Sequence, residues 1–251
     1  MKEILSLTYF EIQRQKLYWL SIALIYLVLS LISINNNIQS NFQQNMVIQP
    51  SILLNIINIA FIIGVISTAI ATLLVWLKDW FSQGKMISRW LAGPFKRSSL
   101  YHAKFLSLVF YFFLNILFVY FTVYVFHFLL QMILQERYSN DMPLYLVFNF
   151  SYFTNLFTES IWVSLVNILA WLALIPITLL FVLLERAYSW KWSVLYLLIL
   201  VAGTYLTGKL IAFGMLPTNL EFHAFYPLSF ILVGSITYWI GSQYVAKDLH
   251  I

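Results

Sequence analysis

Residues 203–209 read Gly-Thr-Tyr-Leu-Thr-Gly-Lys and contain the glycines and lysine with which phosphate-binding loops hold nucleotides. In such loops a Ser or Thr that binds magnesium follows the lysine, whereas Leu210 follows Lys209 here. The segment also lies inside an apolar run, with no predicted strand before it. We therefore interpret it as a glycine-interrupted part of a membrane helix and expect this chain to bind no nucleotide.

Other catalytic patterns do not stand out in the sequence. No histidine has a second histidine four residues away, which is the spacing of a helical zinc site. The chain has no cysteine, which excludes thiolate metal sites and disulfides. We find neither a Ser/His/Asp arrangement nor paired carboxylates, so we expect the chain not to be an enzyme.

The composition points to a membrane protein. Hydrophobic residues make up 62% of the 251 residues and charged residues only 9%, whereas a soluble domain is about half apolar and a quarter charged. A soluble chain of this length could not bury so much apolar surface. The sequence therefore predicts an all-α integral membrane protein with one domain over residues 1–251.

Six apolar runs are long enough to cross the hydrocarbon core as helices. Residues 1–16 precede them and are predicted to form a separate interfacial helix, because Leu5, Tyr9 and Ile12 share one face. The alternative is that these residues simply begin the first span. A real turn, rather than one bent helix, is expected between the fourth and fifth spans. The predicted spans are 17–34, 52–77, 105–134, 160–184, 194–216 and 226–246.

Basic residues predict the orientation. Of the fourteen lysines and arginines, twelve fall in the segments on one side of the predicted spans and one, Arg137, on the other. Lysine and arginine are enriched in cytoplasmic loops, so both termini and the loop 78–104 are predicted to be cytosolic. Because the basic residues lie in short loops between apolar runs, the net charge of +5 does not indicate a nucleic-acid partner.

Polar side chains inside spans are candidates for a substrate pathway. Lys209 falls within the fifth span, where a cation costs about 2.5–3.5 kcal/mol at a helix centre. Either it faces a cavity and contacts substrate or pairs with Glu159 or Glu221, or it reaches the outer interface along its flexible stem. Asn55 and Asn58 lie within the second span, where bonds between helices are the default and a pathway is the alternative.

The loop 78–104 holds six of the basic residues and has internal order. After Gly84, the residues Met86, Ile87, Trp90 and Leu91 recur at helical spacing, and Gly93-Pro94 ends the predicted helix. The minimal interpretation is a loop that only fixes topology. The alternative is a short amphipathic helix presented to a cytosolic partner.

This loop resembles that of the permease subunits of type-2 ABC exporters. Those loops carry an acidic residue, a glycine, a short helix, a Pro-x-x-Arg sequence and a lysine that opens the third span. The matching positions in this sequence are Asp79, Gly84, Pro94, Arg97 and Lys104. The six predicted spans, the N-terminal helix and the chain length are similar too.

The resemblance implies half of an ATP-driven exporter in a cell membrane, in keeping with a bacterial plasma membrane. Two cytosolic ATPases would hold the ATP and magnesium, and a second copy or a sister permease would complete the pathway among membrane lipids. The expected substrate is hydrophobic or amphipathic, such as an antimicrobial or toxin peptide. The residues expected to couple to the ATPase are Asp79, Gly84, Arg89, Trp90, Leu91, Pro94, Arg97 and Lys104.

Two other classes remain open at the level of sequence. An ion- or proton-coupled secondary transporter needs paired ionisable residues inside the membrane, and Lys209 is the candidate. An intramembrane enzyme needs clustered His, Asp or Glu on one face, and the sequence offers no such cluster.

Overall fold

The computed structural model of the chain is helical throughout the part it describes. The described residues are 2–43, 47–81, 96–138, 143–149, 151, 161–212 and 220–245.

Long apolar runs form the helices, because a helix satisfies every interior backbone N–H and C=O within its own segment, as a membrane requires. The described part contains no strand, only an isolated bridge between Ile48 and Tyr138. This confirms the predicted all-α class. The helices are α1 (Lys2–Gln43), α2 (Ile52–Phe81), α3 (Arg97–Leu134), α4 (Leu144–Asn149), α5 (Ile161–Ala187), α6 (Trp190–Ala212) and α7 (Leu220–Ile240), with a 3-10 turn at Gln135–Arg137 and a π-helical turn at Gly241–Val245.

The chain divides into two compact units. Unit 1 comprises Met1–Ile12, Ala69–Val109 and Leu165–Ile251, and unit 2 comprises Gln13–Thr68 and Phe110–Ser164. Each unit is described by itself below.

In the part of the chain that the structure describes, four helices are long and apolar enough to span a membrane: α1, α2, α3 and α5. In α1 only 22% of the apolar window is buried within the protein, and even in α5 the share is 39%. Helices of a soluble core would bury most of such a stretch, so these faces require an apolar surrounding. The described apolar stretch of α6, Trp190–Leu206, is shorter.

The predicted separate helix over residues 1–16 is wrong, because α1 runs unbroken from Lys2 to Gln43. The segment contains no proline or glycine that would break a helix there. The helix also continues beyond the predicted end of the first span at residue 34. Polar side chains in this extension bond to carbonyls of their own helix, with Asn37 Nδ2 donating to Ser33 O at 2.7 Å and Ser40 Oγ to Asn37 O at 2.9 Å.

The helix that contains the third predicted span, 105–134, begins before that span. Helix α3 begins at Arg97, inside the predicted loop 78–104. The backbone N–H of Lys96 donates to Glu3 Oε1 at 3.1 Å. A carboxylate there satisfies a backbone donor at the start of the helix and interacts favourably with its dipole. This cap comes from α1 and could not be read from the local sequence.

The predicted turn between the fourth and fifth spans is confirmed. Helix α5 ends at Ala187 and α6 begins at Trp190. The hydroxyl of Ser193 donates to Phe181 O at 3.0 Å and that of Tyr196 to Ile177 O at 3.1 Å. These bonds hold the start of α6 against the last turns of α5, which carries Pro176 in its interior.

In unit 2, the chain after α3 is fixed by backbone and side-chain bonds. The backbone N–H of Ile48 donates to Arg137 O at 2.9 Å. The hydroxyl of Tyr138 lies 2.8 Å from His127 Nδ1. Burial raises the pKa of Tyr138 to about 12, so the hydroxyl keeps its proton at neutral pH and stays neutral in this bond.

Candidate functional site

A lysine and two carboxylates form a buried charged cluster in unit 1. The ammonium of Lys104 donates to Glu11 Oε1 at 2.9 Å, to Asp79 Oδ2 at 2.5 Å and to Val75 O at 3.1 Å. An ammonium has three N–H donors, so every donor of Lys104 has an acceptor. We call Glu11, Asp79 and Lys104 the ion triad.

The ion triad is shielded from solvent. The side chains of Lys104 and Asp79 are 0% exposed and that of Glu11 is 1% exposed. The ring of Trp76 lies beside them, with its centroid 4.8 Å from Lys104 Nζ, which adds a cation–π attraction. Buried charges are costly unless they are paired and hydrogen-bonded, and this geometry meets both conditions.

Three separate helices supply the triad. Glu11 lies on the first part of α1, Asp79 near the end of α2, and Lys104 near the start of α3. The residues four positions before the two carboxylates, Leu7 on α1 and Val75 on α2, are also buried, with 4% exposure each. The triad therefore joins the end of α2, the start of α3 and the N-terminal part of the chain.

Glu11 lies on a different face of α1 from two of the residues assigned to the apolar face of the predicted interfacial helix. Leu5 and Tyr9 on that apolar face are 62% and 65% exposed. Leu7, Thr8 and Glu11 form the buried face. Because an apolar face of a membrane protein can contact lipid, hydrophobic periodicity alone does not tell which face packs against protein.

A second contact in unit 1 holds the start of α3. The hydroxyl of Tyr238 on α7 lies 2.6 Å from His102 Nδ1. Tyr101 is 1% exposed and approaches Gly241 so closely that a Cβ there would lie 2.7 Å from its hydroxyl oxygen. Helix α7 therefore packs against the first turns of α3, one turn away from Lys104.

The structure brings together two of the residues singled out in the sequence, Asp79 and Lys104. It adds Glu11, which sequence reasoning missed. The local sequence does not single out Glu11, because it stands among the charged residues Glu3, Arg14 and Lys16 before the first predicted span. The remaining loop residues Gly84, Arg89, Trp90, Leu91 and Pro94 lie outside the described residues, as does the side chain of Arg97.

The three proposed pathway residues are placed differently. Lys209 is exposed on α6, with its ammonium 5.7 Å from the ring centroid of Tyr205. On α2, Asn55 is exposed and Asn58 is half-buried. The expected partners of Lys209, the side chains of Glu159 and Glu221, lie outside the described part of the chain.

Unit 2 contains an apolar groove between α1 and α3, with a volume of about 520 Å³. Its floor is the stacked ring pair of Trp19 and Tyr111, whose centroids are 4.8 Å apart. Lys16 is the basic residue among its lining side chains, and neither Asn55 nor Asn58 contributes to it.

Among the described residues no group of three or more His, Asp or Glu side chains is placed to hold a metal ion. Comparison with known proteins found no matching family model, no similar curated protein and no similar solved structure.

Proposed function

We propose that this chain is the membrane permease subunit of an ATP-driven exporter of the type-2 ABC class. In this proposal the chain has six spans with both termini in the cytosol of a bacterial cell, and ATPase subunits bind below the loop 78–104. The chain itself does no chemistry, and its partners hydrolyse ATP. The transported substrate is hydrophobic or amphipathic, and Lys209, Asn55 and Asn58 are pathway candidates.

The observation that supports this function best is the ion triad. Asp79 and Lys104 lie near the two ends of the predicted loop 78–104, and their direct contact ties these ends together. Glu11 ties both to α1. Because these contacts are buried and use every donor of Lys104, a force applied to the loop would move the linked parts of α1, α2 and α3 together. A permease driven from its cytosolic side needs such a joint.

Within the loop, the predicted helix 85–92 is the proposed contact for the ATPase. Trp90 and Leu91 provide an apolar anchor of the kind that dominates protein interfaces. Arg89, Lys96 and Arg97 surround it with positive charge that would orient the partner. The competing interpretation places Trp90 in the lipid headgroup layer and the cations on phosphates.

The test is to change Trp90 and Leu91 together to Ala. We expect loss of the copurifying ATP-hydrolysing subunit, because truncating such an anchor typically costs more than about 1–2 kcal/mol of binding. The measurement is pull-down of the tagged permease in mild detergent, followed by ATPase assay of the eluate. The variant's thermal unfolding temperature should stay at the wild-type value, since the ion triad is untouched.

The control changes Trp192 and Leu195 to Ala. Both are exposed, at 55% and 46%, and both lie near the start of α6, which is cytosolic in the proposed orientation. This variant should keep the ATPase. An ATP-hydrolysing complex that survives the Trp90/Leu91 change in full would refute the coupling role and leave the loop as a topology determinant.

A proton-coupled transporter is the second candidate, because the ion triad is a buried set of ionisable groups of the kind such proteins use. Two features weigh against it. All three donors of Lys104 are taken, and the triad lies near the ends of α2 and α3 rather than at their centres. Proton uptake by vesicles that contain the purified chain alone, abolished by Glu11→Gln, would favour this function over the exporter.

A further inference from the structure

The groove between α1 and α3 in unit 2 has one charged end and an apolar body. The ring pairs Trp19–Tyr111 and Tyr26–Phe118 show that the two helices run in the same direction along it. Lys16 on α1 therefore stands at the Phe110 end of the groove. Lys16 is exposed, so its ammonium is available at that end.

The length of the groove matches one leaflet of a bilayer. The lining runs from residue 16 to 23 on α1 and from residue 110 to 121 on α3. At about 1.5 Å per residue these stretches are roughly 10 and 17 Å long, which is about half of the ~30 Å hydrocarbon core. An acyl chain that enters the groove from one leaflet would fill its length.

The apolar lining of the groove suits an acyl chain, and the charged end of the groove suits a lipid headgroup. The lining is formed by aromatic and aliphatic side chains along its whole length, with Asn115 as its neutral amide. Its volume of about 520 Å³ lies within the range of about 300–1,000 Å³ typical of small-molecule sites. Lys16 is the sole lining residue that carries a charge at neutral pH, and its sign is complementary to a phosphate.

We propose that this groove is a binding site for an anionic phospholipid, with the phosphate on Lys16 and one acyl chain lying over the Trp19–Tyr111 pair. The occupant comes from the leaflet at the Lys16 end. This proposal needs only that the chain is embedded in a membrane, so it stands or falls independently of the proposed ATPase partner.

The test uses the full chain in nanodiscs of phosphatidylcholine with a trace of photoreactive lipid. The probe carries the same diazirine-labelled acyl chain on either a phosphatidylglycerol or a phosphatidylcholine head. Labelled positions are mapped by mass spectrometry. We expect the half-buried groove residues Ala23 and Phe118 to be labelled about fivefold more by the anionic probe than by the phosphatidylcholine probe. This ratio corresponds to the attraction of one lysine to anionic lipid. The exposed residues Leu197 and Leu198 on α6 should show no headgroup preference.

Lys16→Gln should reduce the anionic preference at Ala23 and Phe118 to the level of phosphatidylcholine, and Lys16→Arg should retain it. The matched control is Lys78→Gln, since Lys78 is an exposed lysine at the end of α2 outside the groove. Ala23→Phe should lower labelling of Phe118 several-fold by filling the groove, whereas Ala202→Phe on the exposed face of α6 should not.

Three results would overturn the proposal. Equal labelling of the groove by both probes would show ordinary contact with bulk lipid. Equal effects of Lys16→Gln and Lys78→Gln would show general surface charge rather than a site. A disulfide between two copies of Leu20→Cys in this cysteine-free chain would show that a second copy covers the groove. If Ala23→Phe fails to fold, the Lys16 variants still decide, because that side chain is exposed.

Discussion

Lys104 and Lys209 are the same residue type, and each lies in an apolar helix. Lys104 is 0% exposed, and its ammonium contacts Glu11, Asp79 and a backbone carbonyl. Lys209 is exposed on α6, near the ring of Tyr205. The packed interior accepts a cation only with its acceptors in place, whereas an exposed cation can reach polar surroundings along its own stem. The environment, rather than the residue, decides which lysine stabilises the fold.

Removing the buried cation is expected to have the largest effect. Lys104→Met leaves the carboxylates of Glu11 and Asp79 buried beside each other without the ammonium. Removing one partner of a buried ion pair costs about 3–5 kcal/mol. We expect a sharply lowered unfolding temperature in detergent and little protein in the membrane, as measured by thermal unfolding and by immunoblot.

The control separates lost charge from lost packing. Adding Glu11→Gln and Asp79→Asn to Lys104→Met should recover most of the unfolding temperature, because neutral amides bury at lower cost than carboxylates. A Lys104→Met protein as stable as the wild type would contradict the structural role of the triad. It would also contradict the proposed difference between Lys104 and Lys209.

The sequence predicted the helices better than the contacts between them. Apolar runs marked the spans because lipid selects for them, but the start of α3 is capped by a contact from a distant residue. Glu3 at the start of α3 and Glu11 beside Lys104 both come from α1. Such pairings require knowledge of which helix faces meet. The resemblance indicated Asp79 and Lys104 as important, and only the fold places one against the other.

Two glycines provide a second comparison, between a closely packed position on α7 and an exposed position on α6. A Cβ at Gly234 on α7 would collide with the Cβ of Ala173 on α5 and would lie 2.9 Å from its Cα. Because a backbone atom cannot yield as a flexible side chain does, Gly234→Ala is expected to cost about 1–3 kcal/mol, the usual cost of overpacking. Small residues that let helices approach closely are a common device in membrane proteins.

The matched control is Gly203→Ala on α6, where nothing lies within 4 Å of the added Cβ. It should leave stability unchanged or raise it by up to about 1 kcal/mol, since alanine favours helix over glycine. Thermal unfolding of both variants in the same detergent gives the difference. Equal effects at the two positions would mean that α5 and α7 do not pack as closely as described.

The smallest effect is expected for Lys209→Met. The side chain is exposed and its ammonium lies 5.7 Å from the Tyr205 ring centroid, so its removal opens no cavity and exposes no buried charge. Surface changes of this kind usually alter the unfolding free energy by no more than about 0.5 kcal/mol. Thermal unfolding of Lys209→Met and Lys104→Met in the same detergent would test this directly. A loss of stability comparable to that of Lys104→Met would contradict the contrast between the two lysines.

The same Lys209→Met variant also tests whether this lysine has a role in function. If the chain is the proposed exporter and the variant keeps its fold, a changed transport rate would place Lys209 on the substrate pathway, and an unchanged rate would place it at the lipid interface.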